Sequence, residues 1–279
     1  MSSFPTLLMK IAAALPLPLA HALGAVLGWA MHGLSPTYRR HLRENLEAAG
    51  YTDAATRRAA IAGAGKLLAE LPALWLRPRK DVVARVREIR GLELVEAARA
   101  AGKGIVFLTP HLGCFEVTAQ VAAERFPITV LYSPPKMAWL RPIMEQGRGG
   151  ENVRLASADL SGVRELLAAL KRREAVGILP DQVPGEGEGE WADFFGKPAY
   201  TMTLAARFAQ REGVECLIAY GERLPGGAGY VVHVRPLPPA LEGETQTRRV
   251  NRALEALIRE LPGQYLWGYN RYKPPKKRP

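Results

Sequence analysis

The stretch Gly104-Ile105-Val106-Phe107-Leu108-Thr109-Pro110-His111-Leu112-Gly113-Cys114-Phe115-Glu116 decides how the chain is read. Its first five residues form a short apolar run with β-branched and aromatic side chains, the pattern of a buried strand. Thr109-Pro110 closes the run, and a helical pattern follows from Glu116 to Arg125. A strand that feeds a helix through a short loop is the unit of layered α/β domains. Such domains gather ligands and reactive groups at the C-terminal ends of their strands, and His111 stands at one.

The five-residue step from His111 to Glu116 constrains the geometry. On a continuous helix two such residues point about 140° apart. They can meet only if His111 lies in the loop, where Pro110 and Gly113 favour irregular backbone. Glu116, near a helix N-terminus, is favoured as the anion. A carboxylate holding one imidazole nitrogen leaves the other free as a general base and stabilises the imidazolium, which suits deprotonation of a hydroxyl nucleophile. A lone His-x4-Glu is a weak signal. The same spacing also suits a surface histidine and a helix-end glutamate that never meet.

Outward from this stretch the texture repeats. Strand patterns at Ile128–Tyr132, Ala175–Leu179, Cys216–Tyr220 and Tyr230–Val234 alternate with helical patterns at Leu160–Arg173, Thr201–Arg211 and Thr245–Leu261. The alternation predicts an α/β fold, a layered mixed sheet flanked by helices. The Gly/Pro-rich turn from Pro225 to Gly229 predicts an antiparallel hairpin at one sheet edge. Glu44 to Arg90 reads as helical, ended by Pro72 and Pro78.

From Ile11 to Met31 the only strongly polar side chain is His21. The run is long enough to cross a bilayer, which takes about 20 residues. Pro16 and Pro18 interrupt it, and much of it is Ala and Gly. Three readings stand: an anchor that spans or lies half-buried in one leaflet, a cleaved signal peptide, and a buried helix of a soluble domain. The signal peptide is the poorest fit, because only Lys10 precedes the run as a side-chain charge and no clear cleavage site follows. Arg39, Arg40 and Arg43 lie just beyond, which places the rest of the chain in the cytoplasm. The chain divides into an anchor or interfacial helix at 1–34 and one catalytic domain at 35–279.

The 279 residues are 48% hydrophobic and 23% charged, which is ordinary for a globular protein and excludes disorder over most of the length. The net charge of +11 favours an anionic membrane surface, an acidic protein or nucleic acid. Nucleic acid is the poorest of these, since the arginines are scattered and no recognised binding motif is present. Lys273 to Arg278 read as a solvated basic tail. Cys114 and Cys216 are far apart, and no zinc-type spacing occurs.

The segment Thr109-Pro110-His111-Leu112-Gly113-Cys114-Phe115-Glu116 resembles the His-x4-Asp/Glu signature of membrane-bound acyltransferases. Its variant is similar to that of the late lipid A acyltransferases, the lauroyl/myristoyl transferase family that includes the mycobacterial phosphatidylinositol mannoside acyltransferases. Further segments match in order: PLPLAHALGAVLGW, RRHLRENLEAAG, GILPDQVPG, FFGKPAYTMTLAARFAQREG and PGQYLWGYNRYK, so that the resemblance covers residues 11 to 273. It implies a glycerolipid acyltransferase-like fold on the cytoplasmic face of the bacterial inner membrane. It implies acyl carrier protein as donor, a lipid hydroxyl as acceptor, and no metal or cofactor. His111 and Glu116 match the catalytic pair, Asp181 a functionally important acid, and Arg148 an arginine important for activity, with Arg154 as its rival. Cys114 and Phe115 stand where family members often carry Asn and Trp. Pro110 before the histidine separates the chain from the glycerophosphate type, which has Asn there. Two other readings remain: transfer to another lipid from acyl-CoA, and a non-catalytic lipid-binding or assembly protein that keeps the fold.

Overall fold

Prolines and small residues decide the N-terminal architecture of the computed structural model, which describes residues 4–276. Helix α1 (Phe4–Ala14) stops before Pro16, and α2 (Leu17–Leu34) starts at once with Pro18 in its first turn. The single apolar run of the sequence is therefore two helices. Ser35 caps α3 (Pro36–Ala48) by accepting from Tyr38 N at 3.3 Å, and Asp53 caps α4 (Ala54–Leu76) by accepting from Thr56 N at 2.7 Å. Pro72, expected to end the helical region, lies inside α4. It removes one ladder bond, and the burial of Pro72, Ala73, Leu74 and Trp75 around it offsets that loss.

Helix α2 lies along α4. Gly24 and Gly28 come so close to Gly65 and Ile61 that an added Cβ would strike the α4 backbone; at Gly24 it would stand 2.7 Å from Lys66 Cα. Small residues four apart permit this approach. On the same helix face His21 is buried, with Nε2 2.6 Å from Glu70 Oε1. Glu70 also accepts from Arg223 Nε through both oxygens, at 2.9 and 2.8 Å. Burial alone would raise the Glu70 carboxyl; Arg223 and His21 outweigh it and hold the group below the ordinary glutamate value. The opposite sides of α1 and α2 expose Leu7, Leu8, Ile11, Leu19, Leu23, Val26, Leu27 and Trp29.

The chain continues through α5 (Arg79–Val83) into β1 (Val86–Arg90), α6 (Leu92–Ala100), β2 (Gly104–Leu108), α7 (Glu116–Ala123), β3 (Ile128–Tyr132), α8 (Leu140–Arg148), β4 (Val153–Ser157), α9 (Leu160–Lys171) and β5 (Ala175–Ile178). Strands β6 (Gly189–Phe194) and β7 (Lys197–Met202) form a separate antiparallel ribbon. Helix α10 (Thr203–Ala209), β8 (Val214–Arg223), β9 (Tyr230–Pro236) and α11 (Gln246–Glu260) complete the order. Lys273 to Lys276 of the basic tail are included, and Arg278 lies outside the described residues.

The main sheet has the order β1-β9-β8-β2-β5-β3-β4. Strands β8, β2, β5, β3 and β4 run parallel, and β9 runs antiparallel to β8. The expected β8–β9 hairpin is present but is not an edge, because β1 pairs in parallel with the outer side of β9. Central β2 is buried at every position, as parallel strands covered on both faces are. Alternate side chains split into two cores. Val106, Leu108, Val176 and Ile178 pack with α9, α10 and α11; Ile105, Phe107, Ile128 and Ala219 pack with α6, α7 and α8.

Candidate active site

The register of β2 against β5 builds the centre of the site. Leu108 pairs with Ile178, so His111 and Asp181, each three residues further on, arrive side by side above the sheet. His111 Nδ1 lies 2.8 Å from Asp181 Oδ1, and the His111 main-chain N–H donates to Asp181 Oδ2 at 2.9 Å. This double contact fixes the ring and assigns the proton-bearing role to Nδ1, because a carboxylate accepts. Nε2 is left towards a cavity, 3.1 Å from the Gln182 side-chain nitrogen. The Phe115 ring meets the imidazole edge-on, with centroids 4.7 Å apart.

Asp181 is 2% exposed. Burial alone would raise its carboxyl; the adjacent His111, the two hydrogen bonds and Arg271 behind outweigh this and hold it below the ordinary aspartate value. Behind the pair, Arg271 is held by Tyr200 O at 2.8 Å and Thr201 Oγ1 at 2.6 Å.

Glu116 takes a different place from the one its spacing suggested. At the start of α7 its carboxylate accepts from Arg148 Nε at 3.0 and 3.1 Å and from a second Arg148 nitrogen. Trp75 Nε1 donates to it at 3.5 Å, and the Arg148 guanidinium lies 5.6 Å from the Trp75 ring centroid. The hydrogen bonds of Glu116 thus go to Arg148 and Trp75, and the carboxylate that meets His111 is Asp181. The reason is the loop: Gly113 adopts φ +60°, and its turn sends the chain into α7 with Glu116 facing α8 and Trp75. Arg154, the alternative to Arg148, is exposed on β4.

The loop itself is clamped. Gly113 N donates to Gln264 O at 3.0 Å, Cys114 N to Gly221 O at 2.7 Å, and Arg223 donates to Gly113 O at 2.7 Å. Cys114 is fully buried, and that burial pushes its thiol well above the ordinary value, away from the reactive thiolate.

His111, Glu116, Arg148 and Gln182 open onto a cavity of about 520 Å³. From this polar end it continues between the sheet and α6, α7 and α8, over Phe107, Ile128, Val130 and Leu155 and as far as Ile89 and Val95. An imidazole with one nitrogen towards the cavity at one end and an apolar slot beyond it suit a substrate with a polar group and a long hydrocarbon tail.

The chain is similar to proteins with related names. It is 25% identical over 197 residues to a lipid A biosynthesis acyltransferase of Haemophilus influenzae, covering 69% of this chain and 60% of that protein. It is 27% identical to the lipid A biosynthesis lauroyltransferase of Escherichia coli, covering 75% of this chain and 69% of that one. The lipid A biosynthesis palmitoleoyltransferase of Escherichia coli gives 27%, covering 75% and 68%. The aligned stretch is thus under two thirds of the Haemophilus protein and just over two thirds of the other two. The family model for bacterial lipid A biosynthesis acyltransferases matches residues 2–274, and the chain belongs to that family.

Proposed function

We propose that the chain moves a fatty acyl group from an acyl-carrier-protein thioester to a hydroxyl of a lipid A precursor or related glycolipid, at the cytoplasmic face of the inner membrane. The observation that carries this reading is the His111–Asp181 pair at the mouth of the apolar cavity. His111 Nε2 takes the proton of the acceptor hydroxyl as its oxygen attacks the thioester carbonyl. Asp181 keeps the proton on Nδ1 and stabilises the imidazolium. When the C–S bond breaks, the imidazolium returns its proton to the departing thiolate, leaving the ester and a free carrier thiol. Glu116 acts by holding Arg148, whose guanidinium at the cavity mouth faces anionic groups of the donor or acceptor.

The test is a transfer assay with purified protein, an under-acylated lipid A precursor and two donors. Acyl carrier protein is acidic, and the excess of 11 positive charges attracts it. The screening length falls from ~10 Å at 0.1 M salt to ~3 Å at 1 M. KM for the carrier-linked donor should therefore rise steeply with salt, and KM for acyl-CoA should rise less. A salt-independent KM, or a preference for acyl-CoA, would reject the carrier-protein donor.

Membrane seating rests on α1 and α2. One side of α2 is committed to α4, and the other exposes Leu23, Val26 and Trp29. A helix docked on one side and apolar on the other fits a seat in a single leaflet, with Arg39, Arg40 and Arg43 at headgroup level. Burying a Val or Leu side chain is worth ~1.5–3 kcal/mol. The double variant Leu23→Asp/Val26→Asp should lower partition into anionic vesicles by more than about a hundredfold while the circular dichroism spectrum is retained. Flotation equal to wild type would rule out this face.

A further inference from the structure

Among the described residues Gly177 is the one strand residue lining the cavity without a side chain. The strand registers place it in a row across the cavity floor. It pairs with Phe107 on β2 and with Val130 on β3, and Val130 pairs with Leu155 on β4. All four line the cavity, and the gap in the row falls at Gly177.

Neither backbone nor packing asks for glycine here. Among the described residues Gly177 is not one of the glycines with positive φ. A Cβ built on it would stand 3.5 Å from Val130 Cγ2, 3.7 Å from Ile128 Cδ1 and 3.8 Å from Val130 Cγ1, all ordinary contacts with side chains. Alanine therefore fits the empty protein without displacing a neighbour. Glycine inside a fully buried strand also weakens that strand, and it commonly marks a place where a ligand comes close to the backbone. What this glycine provides is room.

We propose that Gly177 determines which acyl chains the enzyme accepts: the missing Cβ lets the later methylenes of the chain pass over β5. This rests on the acyl-transfer reading above. Gly177 lies four residues before Asp181, no more than about 14 Å along an extended chain. The reacting carbonyl sits at the His111 end, so Gly177 meets the hydrocarbon tail and not the reacting atoms.

The test is competition among saturated acyl-carrier-protein thioesters from short to long, with wild type, Gly177→Ala and Gly177→Val. One methylene in or out of a hydrophobic pocket changes kcat/KM by ~10–200-fold. The long-to-short ratio of kcat/KM should fall at least about tenfold in Gly177→Ala and further in Gly177→Val. Turnover of the shortest donor should stay near wild type, which a general folding defect would not permit. An unchanged ratio, or an equal loss at every length, overturns the proposal. Binding of free fatty acids to the same three proteins separates the two claims. If wild type transfers nothing, yet fatty acids bind and Gly177→Val weakens long chains selectively, the acyl-transfer reading fails and the role of Gly177 stands. If fatty acids do not bind either, both fail.

Discussion

Replacing His111 by alanine should lower kcat/KM for acyl transfer by ~10²–10⁴-fold, the usual contribution of a positioned general base. The side chain is 15% exposed and closes no core, so the variant should fold as wild type does. The loss should appear in kcat with KM little changed, because the imidazole acts on the hydroxyl proton and not on the tail that holds the donor. Steady-state kinetics with thermal melting on the same preparations checks both parts. Near-normal turnover by a folded His111→Ala would remove the base from the mechanism.

The second large effect separates the two carboxylates. Asp181→Asn should keep the shape of the site but lose its tautomer control, since an amide can donate to Nδ1 and push the proton to Nε2. Loss of such control in comparable His–Asp pairs costs ~10⁴-fold in kcat. Glu116→Gln keeps an acceptor for Arg148 and Trp75 and removes only the charge. It should cost less in kcat than Asp181→Asn and more in KM, as expected of a residue that holds a binding arginine. The reverse order, with Glu116→Gln the more damaging in kcat, would return the orienting role to Glu116 and reject the pairing derived from the structure.

Much of the fold is legible in local pattern. Strands β2 and β3 match the expected bounds because both are short apolar runs closed by turn residues. Strand β1 is hidden by Arg87, Glu88 and Arg90 on a half-exposed sheet edge, and β4 by Arg154 and Ser157. The β6–β7 ribbon is hidden because Lys197 to Met202 continues into the helical texture of α10. The site divides in the same way. The place of His111 at a strand end follows from thirteen consecutive letters, but its partner lies 70 positions away and is chosen by the pairing of β2 with β5. The signal was present in Leu179-Pro180-Asp181-Gln182, a strand end of the same length as the one before His111. It becomes decisive only once the two strands are known to be neighbours. The pairing of Arg148 with Glu116 is likewise fixed by how α8 packs against α7 and α4, which no spacing within either helix reveals.

His21 has a consequence for anyone who would exchange the N-terminal helices for a membrane tether from another protein. In most tethered enzymes the tether is a replaceable part, and any greasy helix will serve. Here α2, whose outer side exposes Leu23, Val26 and Trp29, also carries the imidazole that completes the Glu70–Arg223 pair, and Arg223 in turn grips the main chain at Gly113, two residues from His111. A chimera with a foreign helix in that place would have Glu70 one partner short and the loop beside His111 less firmly held. The exposed apolar side and the buried support of the loop are written into the same eighteen residues of α2, so neither can be edited alone.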